Sequence, residues 1–115
     1  MSFYNFSEAT QEMTFIGEAA KVAEACQLAL SQVGKVTEVR RETGTISGKI
    51  GWLGLSYSEA IFDIKVAKES AGTKIQIKVR VQQDAKGDGS TKAIAKFTMA
   101  LSRYQNLTGE SQAGW

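Results

Sequence analysis

The stretch from Tyr57 to Val81 constrains the fold more than any other part of the chain. Ala60, Phe62, Ile64 and Val66 alternate with Ile61, Asp63, Lys65 and Ala67. After Glu69-Ser70-Ala71-Gly72, the residues Ile75, Ile77, Val79 and Val81 alternate with Lys74, Gln76, Lys78, Arg80 and Gln82. Alternation with a period of two puts the branched apolar side chains on one face of two strands, and the short connection joins them as an antiparallel hairpin. An apolar face opposite a wet one demands a covering layer.

Two segments have the spacing to supply that layer. Between Glu18 and Val33, the side chains of Ala19, Val22, Ala23, Cys26, Leu30 and Val33 fall on one side of a helix, with Glu18, Lys21, Glu24 and Gln27 largely opposite and Gly34 at the C-terminal cap. From about Thr91 to Gln105, a second stripe runs through Ile94, Phe97, Leu101 and Tyr104, with Ser90 or Asp88 as the N-cap. The segments Gln11 to Ile16, Val36 to Glu42 and Thr45 to Gly51 read as further strands. Glycines thin the apolar side of the last of these, where a helix pressed closely against it would need room.

The expected class is therefore α+β: an antiparallel sheet of four to five strands with two helices packed on one face, in the order β-α-β-β-β-β-α. This resembles in outline the helix-grip plan, in which a C-terminal helix lies across a curved antiparallel sheet. The resemblance is one of topology over residues 11–105 and implies no particular function. Residues 1–10 are expected to form an N-terminal segment, 11–105 a single domain and 106–115 a flexible tail.

Composition fits this picture. The 115 residues suffice for one domain with its own core, and 43% apolar with 23% charged residues are ordinary globular values. No apolar run approaches the roughly 18 residues that span a bilayer, and the N-terminus lacks a signal-peptide pattern, so the cytoplasm is the expected location. The single cysteine, Cys26, lies on the first helical stripe with nothing cationic close in sequence, which predicts a buried, inert thiol.

Motifs with a chemical meaning fail on inspection. Gly44 to Ile50 resembles a phosphate loop, but three residues rather than four separate the glycines, and Ile50 follows the lysine. Asp84, Asp88 and Gly89 match three places of a calcium loop, but Lys86 and Ala95 stand where two ligands belong. There is no histidine, the commonest general base and transition-metal ligand. Glu59 and Asp63 share a strand face, with β-carbons roughly 13 Å apart from the strand rise. Neither a metal, a cofactor nor catalysis is expected.

Two binding readings remain. The preferred one is a non-catalytic binding or interaction module, with a small hydrophobic ligand between sheet and helices or a docked protein partner; its residues are Trp52, Leu53, Leu55, Phe62, Phe97, Leu101 and Tyr104. The alternative uses charge. Residues 1–34 carry a net of −3 and residues 35–107 a net of +6. Lys49, Lys65, Lys74, Lys78 and Arg80, projecting from the exposed sheet face, would form a platform for single-stranded nucleic acid. Both a monomer and a homodimer are compatible with either reading.

Overall fold

The computed structural model describes residues 5–51, 57–83 and 89–109. Its strands are β1 (Asn5–Phe15), β2 (Lys35–Arg40), β3 (Thr45–Ile50), β4 (Tyr57–Glu69) and β5 (Gly72–Gln83). Helix α1 (Ala19–Val33) follows β1, and α2 (Gly89–Leu101) follows β5. The C-terminal run continues through a 3-10 turn, Ser102–Tyr104, into the short α3 (Gln105–Thr108). All five strands are antiparallel in the order β1-β5-β4-β3-β2.

The alternation in β4 and β5 does what its period requires. Ala60, Phe62 and Ile64 on β4, with Ile75, Ile77, Val79 and Val81 on β5, are buried on the inner face, while Asp63, Lys65, Lys78 and Arg80 face solvent. Register pairs Phe62 with Val79 and Ile64 with Ile77, so the two strands present one continuous apolar surface. Helix α2 lies over this surface and β1, and places the Phe97 ring 5.6 Å from that of Phe62 at 50°. A tilted aromatic pair of this kind adds about 0.5–1.5 kcal/mol beyond its buried area.

Helix α1 covers the other half of the sheet, above β3, β2 and β4. Its buried residues are Val22, Ala25, Cys26, Ala29 and Leu30. The buried stripe is rotated from the expected one, because α1 packs beside α2 as well as onto the sheet. That rotation brings Ala25 and Ala29 inside and leaves Ala19 and Ala23 only half-buried. Gly48 on β3 makes the close approach possible: a β-carbon there would lie 2.5 Å from Leu30 Cδ2 and 2.4 Å from the Lys35 carbonyl oxygen.

The first strand and the C-terminal helical run extend further than the sequence expectation. The first strand begins at Asn5 rather than Gln11 and pairs with β5 along its whole length, from Asn5↔Gln83 to Phe15↔Thr73. Past Gln105 the chain forms one more helical turn, in which Thr108 is buried and its carbonyl accepts a hydrogen bond from the Gly17 N–H at 2.8 Å. The N-terminus of α2 is met by Ser7, whose Oγ accepts from the Ser90 N–H at 3.2 Å. Trp52, Leu53 and Leu55, and the loop Asp84 to Asp88, lie outside the described residues.

Two outcomes follow from this packing. Gly48→Ala should cost about 1–3 kcal/mol in chemical denaturation, since a backbone carbonyl and a core leucine must both give way. Cys26 is fully buried, and burial pushes its thiol from the ordinary 9.0 up to about 12. The native protein should therefore resist alkylation at pH 8 and react only when denatured. The neutral thiol stabilises the fold below pH 9 and loses that contribution as pH rises toward 12.

Candidate functional site

The residues expected to hold a ligand divide by position. Phe62 and Phe97 are 0% exposed and Leu101 is 2% exposed, all in the main core. Tyr104 is half-buried and its hydroxyl donates to Gln32 Oε1 at 3.1 Å, tying the C-terminal run to α1. Leu30 fills the space that Gly48 leaves, so the notch on β3 is occupied by protein. Open space lies elsewhere on the same face of the sheet.

A cleft of about 780 Å³ runs between the N-terminal half of α1 and the β2–β3 hairpin. Ala19, Ala20 and Ala23 form its helical wall; Val39, Ile46 and Val66 supply apolar surface from three neighbouring strands. The cleft exists because small side chains meet there. Three alanines cannot bridge the gap to the hairpin, and Val39, on the inner face of the outermost strand, is left 37% exposed.

Polar groups rim this apolar floor. Glu24 and Gln27 stand on α1, and the hairpin turn contributes Arg40, Arg41, Glu42, Thr43 and Thr45. Gly44 shapes that turn, with φ at +70° and a carbonyl that accepts the Val66 N–H at 2.7 Å. The Arg40 guanidinium is held by Glu38, whose hydrogen bond and charge raise its already high pKa. Thr43 and Thr45 share a hydroxyl hydrogen bond of 2.9 Å. Arg41, Glu42 and Glu24 have no ion pair among the described residues. An apolar pocket with a charged rim is suited to a molecule whose body is apolar and whose end is polar.

The outer face of the sheet is less basic than the strands from β2 to β5 alone imply. Lys49 lies 3.3 Å from Glu59, Lys74 is 3.8 Å from both Glu12 and Glu69, and Arg80 is 3.6 Å from Glu8. Lys65 and Lys78 are exposed on the same side, flanking Asp63, which Ser47 also hydrogen-bonds at 2.8 Å. Glu8 comes into play because β1 begins at Asn5, earlier than the strand expected from Gln11. Exposed pairs of this kind contribute about 0–1 kcal/mol each, but they cancel the field that would attract a phosphate backbone.

Among the described residues no helix is long and apolar enough to cross a membrane. No protein-family model matches the chain, and no curated protein sequence matches it. Solved structures do share its fold. The structure is similar to that of Ara h 8.0201, with a TM-score of 0.69 and 11% identity over 91% of this chain and 97% of that one. It is also similar to two di-domain ARO/CYC (aromatase/cyclase) proteins. For BexL, from the BE-7585A biosynthetic pathway, the TM-score is 0.52 with 11% identity over 93% of this chain and 51% of that one. For StfQ, from the steffimycin biosynthetic pathway, it is 0.53 with 9% identity over 96% and 53%. The chain spans about half the length of each of these two.

These likenesses establish the helix-grip architecture and, at such identities, the fold alone. They also correct one expectation. Reading the chain as not an enzyme rested on its lack of histidine and of a close carboxylate pair, yet BexL and StfQ place aromatase/cyclase proteins on this same plan. The physical reason is that a shaped cleft can accelerate a reaction by orienting a reactive substrate, without a histidine base. Missing catalytic motifs therefore exclude nothing for this architecture.

Proposed function

We propose that the chain binds a small apolar or amphipathic molecule in the cleft between α1 and the β2–β3 hairpin. The observation that carries this reading is the inner face at the end of the hairpin, where exposed Val39, half-buried Val66 and the edge of the buried Ile46 border a gap that Ala19, Ala20 and Ala23 leave unfilled. A globular chain ordinarily closes such a surface with larger side chains, because each buried methylene is worth about 0.8 kcal/mol. The volume, about 780 Å³, falls within the roughly 300–1,000 Å³ of small-molecule sites.

Within this reading the residues divide into two roles. Phe62, Phe97 and Leu101 pack α2 onto the sheet in the main core and do not line the cleft. Val39, Ile46, Val66 and the alanines meet the ligand, and the rim charges select its polar end. Trp52, Leu53 and Leu55 remain candidates for contact with a ligand or a protein partner.

The test uses an environment-sensitive naphthalene dye with and without a competing aliphatic alcohol. Ala23→Leu should fill the cleft and weaken dye binding by about tenfold or more, with a stability change of less than about 1 kcal/mol because the position is only half-buried. Phe97→Ala should lower stability by about 3–5 kcal/mol while its folded fraction still binds dye. Equal dye affinity for Ala23→Leu and the parent protein would remove the cleft as the site.

A further inference from the structure

We infer that the edge of β1, which no other strand pairs among the described residues, is a docking site for an extended peptide segment with alternating basic and apolar residues, which would join the sheet as a sixth strand. The inference rests on how differently the two edges of the sheet are built. The β2 edge is defended: it has six residues, a register shift between Val36 and Glu38, and cations at Lys35 and Arg40. Short length, irregular pairing and positive charge are the usual protections against an incoming strand. The β1 edge has none of them. It runs for eleven residues, pairs with β5 without a register shift, and carries no lysine, arginine or proline. Its outward-pointing backbone N–H and C=O groups form a regular row for a new partner.

The chemistry of the strand specifies that partner. On the outer face β1 offers Glu8 and Glu12, both exposed, each in a long contact of 3.6–3.8 Å to a β5 cation, which leaves room for a second one. On the inner side a groove of about 340 Å³ runs between the strand and α2, lined by Ala9, Thr10 and Gln11 on the strand and by Thr91, Ile94, Ala95 and Thr98 on the helix. An added strand would place cations beside Glu8 and Glu12 and lay its alternate apolar side chains in the groove. This is the pattern of β5 itself, where Lys74, Lys78 and Arg80 alternate with Ile75, Ile77 and Val79. A second copy of the chain fits less well. Pairing β1 with β1 would gather two copies of Glu8 and Glu12 on one exposed face without adding a cation.

The site lies at the opposite edge of the sheet from the cleft, so either can fail alone. The experiment titrates isotopically labelled protein with a synthetic peptide of the β5 sequence, Thr73 to Gln83, supplied free or at the end of a soluble carrier protein. Expected are amide shifts and slowed hydrogen exchange from Ser7 to Met13. Affinity should fall on the order of fivefold in the E8Q/E12Q variant or on raising salt from about 50 to about 300 mM. A control peptide with glutamate at its three cationic positions should leave β1 unmoved. The inference is overturned if β1 stays unshifted at millimolar peptide, or if the acidic peptide binds equally. It is also overturned if sedimentation shows a dimer through the β1 edge that the basic peptide does not displace.

Discussion

The contact between Phe62 on β4 and Phe97 on α2 is the interaction on which the rest of the arrangement depends. It seats α2 on the β4–β5 half of the sheet, where Ile77, Val79 and Val81 complete the apolar surface beneath it. With that half covered, α1 covers mainly β3, β2 and β4, and it is drawn down where Gly48 offers no side chain and Leu30 takes the space. Nearer the hairpin turn the helix buries Val22 and otherwise presents short side chains. The cleft thus arises from one tight approach and three short side chains, Ala19, Ala20 and Ala23, rather than from a separate structural device.

The sequence announces the parts of this fold that are covered on one side and wet on the other. From Ala60 to Val66 in β4 and from Ile75 to Val81 in β5 every inward residue is apolar and nearly every outward one polar, so strand type and face are legible from the period alone. The first half of β1 is not, because its inner positions Ser7, Ala9 and Gln11 sit at the rim of the helix layer and have no need to be large and apolar. The short helical turn at Gln105–Thr108 is equally hidden. It is held by a backbone hydrogen bond from Gly17 and by burial of a threonine, neither of which leaves a hydrophobic pattern.

The candidate site is only half legible in the sequence for a related reason. Large apolar residues such as Phe62, Phe97 and Leu101 attract attention in a sequence, and in the structure they pack against one another. A cleft is made by what is missing, and the alanines that border it read as an ordinary core stripe until the rotation of α1 toward α2 is known. Charge misled in the same way. Counting lysines on β3, β4 and β5 suggests a basic face, but Glu8 and Glu12 join that face from a strand far away in sequence.

The helix-grip architecture is shared with proteins as different in name as Ara h 8.0201 and the di-domain ARO/CYC proteins, so the plan by itself does not fix what a chain does. The most direct measurement is a methyl proton–carbon correlation spectrum of labelled protein titrated with a medium-chain aliphatic alcohol. The account requires saturable shifts at the methyl groups of Val39, Ile46, Val66 and Ala23, with those of Ile77, Val79 and Ile94 unmoved. Shifts centred on the packed core, or a spectrum unchanged at saturating alcohol, would contradict it.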